Sequence, residues 1–272
     1  VLDPLPPPVK RLGWVVLAIA VVAATAVFRP RPSPAGAADS RVADGRRLFL
    51  LGCSSCHGDD GAGRRTSAGE IRGPSLLHSG EAGAYYELST GRMPLADTTE
   101  QPHRKRPAYD DADQAALVAF VAALGDGPPL PHLEANRAAL APGGELFRAN
   151  CAPCHTATGA GAALSYGRAA PPLNESTVAQ VGAAVRTGPG QMPVFGPGVL
   201  TDEQLAGIAR YVQYLRHPDD RGGLPIGRTG PVPEGAVAWF FGIGAFLAAL
   251  SWIGTRSPVR RPGERGDQLP HG

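Results

Sequence analysis

The segments "CSSCH" (53–57) and "CAPCH" (151–155) hold all four cysteines of this 272-residue chain. Each sets two thiols three positions apart and follows them directly with a histidine. Cys-x-x-Cys-His is the attachment signature of c-type haem. The two thiols bridge the vinyl groups of one porphyrin, and the adjacent histidine is held beneath the iron. Cys53, Cys56, Cys151 and Cys154 are therefore candidate covalent attachment points for two haem c groups, and His57 and His155 are candidate iron ligands. Other chemistries fit less well. A structural zinc site pairs Cys-x-x-Cys elements about 15–20 residues apart and requires no histidine after each; here 94 residues separate Cys56 from Cys151. A thioredoxin-like pair needs a βαβ context, which is missing. Two structural disulfides in an exported chain would use the cysteines but leave the histidines unexplained.

The chain has only two methionines, in "STGRMP" (89–94) and "RTGPGQMP" (186–193). Met93 lies 36 positions after His57, and Met192 lies 37 after His155. Cores use methionine freely as a gap-filler, so a lone one reads as packing. Two in matching turns at matching offsets read instead as the second axial ligand of each iron. A Met/His pair leaves no open coordination position and raises the reduction potential, which suits an electron carrier. Pro94 and Pro193 follow the two sulfurs and stiffen the loops that present them. A ligating histidine usually donates its other ring N–H to a fixed acceptor. The backbone carbonyls of Pro74 and Pro171, in "GPSL" and "APPL", are the candidates; a plain turn is the competing reading. His78, His103, His132, His217 and His271 fall in loops or tails and read as solvated, with His78 as a possible competitor for iron.

These residues sit in a duplicated domain. The first copy covers 42–125 and the second 143–216, with Cys53 and Cys151 offset by 98 positions and Met93 and Met192 by 99. Each copy opens with a short amphipathic stretch and closes with a helical pattern, at 110–125 and 200–216. In the second, Leu205, Ile208, Ala209, Val212 and Leu215 recur at helical spacing, and Thr201 with Gln204 forms a capping box. No alternating strand pattern appears, so the expected fold is mainly α, with two tandem domains. One segment, 95–111, has only a short counterpart in the second copy. Its basic cluster His103–Arg106 reads as a solvated loop or as a docking loop for a redox partner.

Two uncharged apolar stretches flank the duplicated part. Residues 12–28 span roughly 26 Å as a helix and 235–254 roughly 30 Å, against a hydrocarbon core of ~30 Å. The first reads either as a transmembrane anchor or as a cleavable signal segment, given Lys10 and Arg11 before it and "AGA" at 35–37 after it. The second reads as a C-terminal transmembrane helix, with Trp239 and Trp252 near its ends and arginines beyond it. Either way the middle of the chain is exported. The plan is then a cytoplasmic tail at 1–11, linkers at 29–41, 126–142 and 217–234, and a cytoplasmic tail at 255–272. With both segments retained the chain is a multi-pass cell-membrane protein with its haem domains on the extracytoplasmic side. A formal net charge of +2 predicts neither nucleic acid nor an acidic substrate.

The motif pair, "RKRPAYDD" (104–111) and above all "GGLPIGRTGPVPEGAVAWFFGIGAF" (222–246) resemble the dihaem cytochrome c subunit of the actinobacterial cytochrome bcc complex. The resemblance covers nearly all of 42–256 and implies two class I cytochrome c-type domains. It implies partners as well: a cytochrome b subunit, a Rieske iron–sulfur subunit and a haem-copper terminal oxidase. Menaquinol would be oxidised at cytochrome b, and electrons would pass from the Rieske subunit through the first haem domain to the second and on to the oxidase. The chain would be a carrier without a substrate site or catalytic residue of its own, within a quinol–cytochrome c reductase. A stand-alone membrane-tethered dihaem carrier and a dihaem peroxidase are the alternatives; the peroxidase requires an open iron position.

Overall fold

The computed structural model describes residues 14–22, 34–98, 100–219 and 231–256. The chain divides into two compact units, Val1–Pro129 and Leu130–Gly272. Residues 14–22 are helical and exposed (α1); the rest of the 12–28 segment, and the tails at 1–11 and 257–272, lie outside the described residues.

In the first unit, helices α2 (Pro34–Gly52), α3 (Ser54–His57), α4 (Gly80–Ser89) and α5 (Asp111–Ala122) surround one small core, with a two-stranded ribbon β1 (Arg64–Arg65) and β2 (Ile71–Gly73). The second unit repeats the order with α6 (Leu140–Asn150), α7 (Ala152–His155), the ribbon β3 (Ala162–Ala163) and β4 (Ala169–Ala170), α8 (Val178–Thr187) and α9 (Asp202–Tyr214). A last helix, α10 (Pro231–Arg256), follows.

One crossing organises each unit: the opening helix packs on the closing helix, α2 on α5 and α6 on α9. Phe49 and Phe147 are its buried centres, at 1% and 0% exposure. Phe49 meets Phe120 with ring centroids 5.1 Å apart, and Phe147 meets Tyr211 at 5.3 Å. The backbones approach closely at a glycine. A Cβ on Gly45 would overlap the carbonyl of Ala116, and one on Gly143 the carbonyl of Gly207. Local signals fix the ends of the other helices. Thr177 and Thr201 cap α8 and α9 through full capping boxes with Gln180 and Gln204. Asp110 caps α5 by accepting from the Asp113 N–H.

The helices run further than the linker reading allows. Residues 34–41 belong to α2 rather than to an extended linker. The stretch is alanine-rich, and a proline at the first helical position costs nothing because its missing N–H would be an orphan there. Two further helices also begin inside the expected linkers, α6 at Leu140 and α10 at Pro231. Residues 126–142 are also more than a spacer. The Pro128 carbonyl accepts from the Ala82 N–H in the first unit, and Leu133 packs on the core of the second. The two ribbons were not expected either, since strands of two or three residues are too short to show alternation.

Candidate haem sites

Each Cys-x-x-Cys-His segment folds into a single helical turn. The Cys56 and His57 N–H groups donate to the Cys53 carbonyl at 3.1 and 3.0 Å; those of Cys154 and His155 donate to the Cys151 carbonyl at 3.2 and 2.9 Å. One turn brings positions i, i+3 and i+4 to one side, so both thiols and the histidine face the same space. The chain then leaves through a left-handed residue, Gly58 (φ 78°) or Thr156 (φ 64°). Threonine is strained there; its hydroxyl offsets this by accepting from the Ala160 N–H at 3.2 Å.

Both expected acceptors are found on the histidines. His57 Nδ1 donates to the Pro74 carbonyl at 2.8 Å, and His155 Nδ1 donates to the Pro171 carbonyl at 2.9 Å. A carbonyl only accepts, so the proton is on Nδ1 and the Nε2 lone pair is free for a metal. Both rings are 9% exposed. Burial holds His155 below the ordinary histidine range, with the Pro171 hydrogen bond opposing, which favours the neutral ring that a ligand requires. The loops that deliver the prolines are themselves fixed. The Gly63 N–H donates to the His57 carbonyl and the Leu76 N–H to that of Gly61; Gly161 and Leu173 repeat the pair on His155 and Gly159. Gly73 lies so close to the Cys56 carbonyl that any side chain there would collide.

The four cysteines are free of disulfides. Burial, with Cys154 adding to it, pushes the Cys151 thiol up to about 11; burial and Cys56 raise Cys53 in the same way. At these two positions burial disfavours the thiolate. Among the described residues no three of His, Cys, Asp and Glu gather into a metal cage.

Met93 and Met192 are both half-buried, in loops that follow α4 and α8. The Met93 N–H donates to the Glu87 carbonyl at 3.2 Å, and the Met192 N–H to that of Pro189 at 3.2 Å. Met192 and Cys151 border the same apolar core. His78 is engaged elsewhere: it sits 2.7 Å from Asp126 on the surface.

The structure buries the residue before Met93. Arg92 is 7% exposed, and its guanidinium lies 4.8 Å over the Tyr86 ring. Its Nη1 meets no hydrogen-bond partner among the described residues, and neither does Oε2 of Glu87 nearby. Burial raises the Glu87 carboxyl while Arg92 lowers it. An arginine cannot shed its charge, so a buried donor without an acceptor calls for an anion. A haem brings carboxylates of its own, and the site fits that group. Arg186 in the second unit is equally buried but fully engaged: it donates to the carbonyls of Phe195 and Leu200, both at 2.8 Å, and reaches Asp202 at 2.5 Å.

Two small helical units, each with a paired-thiol turn and a histidine fixed by a proline carbonyl, define a protein of the c-type cytochrome class. The cytochrome c family model matches residues 42–125, and that of cytochrome c oxidase, cbb3-type, subunit III matches 138–212. The cytochrome bc1 complex cytochrome c subunit of Mycobacterium tuberculosis (strain ATCC 25618 / H37Rv) is 39% identical over 259 residues, 90% of this chain and 91% of the relative. That of Corynebacterium efficiens is 36% identical over 233 residues, 79% and 77% of the two chains. A cytochrome c6 of Leptolyngbya boryana is 40% identical over 75 residues, 26% of this chain and 87% of the relative. The chain belongs to the family of cytochrome c subunits of the cytochrome bc1 complex and carries two covalently bound haem c groups.

Proposed function

We propose that this chain is the membrane-anchored dihaem electron carrier of a menaquinol-oxidising respiratory cytochrome bc complex. It takes electrons from the Rieske iron–sulfur subunit and delivers them to a haem-copper terminal oxidase, in place of a diffusing cytochrome c. The observation that carries the reading is the repeated turn in which two thiols stand beside a buried histidine held by a proline carbonyl. The names of the relatives supply the complex. When bound, haem c supplies a one-electron iron couple.

The residues divide the work. Cys53 and Cys56, and Cys151 and Cys154, hold the two haems covalently. His57 and His155 bind iron through Nε2, because Nδ1 is committed to a carbonyl. Met93 and Met192 would supply the second ligand of each iron; a Met/His pair leaves no open position for a substrate, which argues against a peroxidase. Arg92 holds a haem propionate in the first unit. The two haem domains, 42–125 and 143–216, lie on the extracytoplasmic side between segments 12–28 and 235–254. The first faces the Rieske subunit and the second the oxidase.

Purification of a tagged chain from membranes in mild detergent tests this. Cytochrome b, the Rieske subunit and the oxidase are expected to come with it. A chain that emerges alone, dihaem and redox-active, is a stand-alone carrier instead.

A further inference from the structure

The segment that breaks the repeat is fastened to the methionine loop. Between Pro94 and the Asp110 cap the first unit has residues 95–109; between Pro193 and the Thr201 cap the second has only 194–200. Lys105 lies in the longer segment and is exposed. Its backbone N–H donates to the Thr90 carbonyl at 3.1 Å. Its ammonium donates to the Pro94 carbonyl at 2.7 Å. Its own carbonyl covers Gly91 so closely that a Cβ there would overlap it. These three contacts bracket Met93, with Thr90 and Gly91 before it and Pro94 after it.

The second unit holds its loop by other means. Arg186, buried in α8, donates to the carbonyl of Phe195, three residues past Met192, and to that of Leu200. The Phe195 N–H donates back to the Val185 carbonyl at 2.9 Å. A cation therefore ties down each methionine loop, from the core in one unit and from an exposed strap in the other.

We propose that Lys105 is a positioning residue for Met93: the 95–109 strap is a latch that keeps the sulfur on the iron of the first haem. The inference rests on reading Met93 as an axial ligand. A loop left free must lose conformational entropy each time its sulfur binds. The latch removes that cost in advance, and a charge-assisted hydrogen bond is the strongest single contact in it. The latch is specific to the first unit, so the two haems respond differently when it is cut.

The test uses the full-length dihaem protein in detergent. Lys105→Met keeps the hydrocarbon stem and removes the donor, and Lys105→Arg keeps a donor. Ferric protein is titrated with cyanide while the far-red methionine–iron band is followed. In Lys105→Met one haem of the two should bind cyanide about tenfold or more tightly, the gain expected from losing one charge-assisted hydrogen bond. The far-red band should weaken in step, two haems should remain attached, and Lys105→Arg should stay close to wild type. The latch is overturned if Lys105→Met matches wild type in band and cyanide affinity, if both haems respond equally, or if Lys105→Arg is as weak as Lys105→Met. A wild-type protein whose spectrum holds the methionine band of only the second haem overturns the Met93 assignment, and the latch with it.

Discussion

Arg92 is a charge with only part of its surroundings arranged for it. The Tyr86 ring faces one side of the guanidinium at 4.8 Å, a contact worth about 2 kcal/mol when desolvated. Glu87 offers charge compensation but keeps an unpaired oxygen of its own. A cation near the haem favours the reduced, less positive state, so removing it with Arg92→Leu should stabilise ferric over ferrous iron in the first haem and lower its midpoint potential. At the effective dielectric of a protein interior the change is on the order of 1–2 kcal/mol, roughly 40–90 mV for one electron. A redox titration that resolves both haems checks this, with the second expected to stay in place; an unchanged first potential would remove Arg92 from the site. Met93→Leu asks a separate question of its neighbour. Covalent attachment should survive, but the ferrous first haem should bind carbon monoxide while the second does not. Retained six-coordination at both irons would sink the ligand assignment.

Helices place these residues, and the crossing of opening and closing helices is where each unit is least forgiving. Gly45 faces the Ala116 carbonyl with no room for a methyl group. Gly45→Ala gains about 1 kcal/mol in helix propensity, but it forces α2 and α5 apart and should cost a net 2 kcal/mol or about that. The first unit should then melt roughly 10 °C earlier, with the second transition unmoved, as calorimetry would resolve. Much at this scale was legible in the sequence. The capping box at Thr201 and the spacing of Leu205, Ile208 and Val212 are local patterns, and the structure reproduces them. The proline carbonyls on His57 and His155 could be anticipated because a ligating imidazole needs an acceptor and the repeat offered matching ones. The start of α2 at Pro34 was not legible, because a Pro/Ala-rich stretch reads as a linker and residues 36–41 are exposed, so no buried face marks them as helix. Lys105 on Pro94 and the burial of Arg92 were equally hidden. Both depend on which loop folds back on which, and no periodicity encodes that.

At the scale of the molecule, two self-contained cores are joined to a helix of a different character. Gly235–Thr255 of α10 is long and apolar enough to cross a membrane, and none of it is buried against the other described residues. At 1.5 Å per residue these 21 residues extend about 32 Å, close to the ~30 Å of hydrocarbon. Trp239, Phe240, Phe241, Phe246 and Trp252 are all largely exposed along it. In water that surface would be a severe liability, whereas in lipid it is the driving force for insertion. The haem units need none of it, since Phe49 and Phe147 centre cores complete without α10. A chain spanning 34–219, exported behind a cleavable signal, should therefore be recovered as soluble protein with both haems attached. Restoring 231–256 with its connecting segment should return the chain to the membrane fraction and make it resist alkaline carbonate. A shortened chain that still resists carbonate would show that the haem units themselves hold the bilayer, and α10 would lose its role as the anchor.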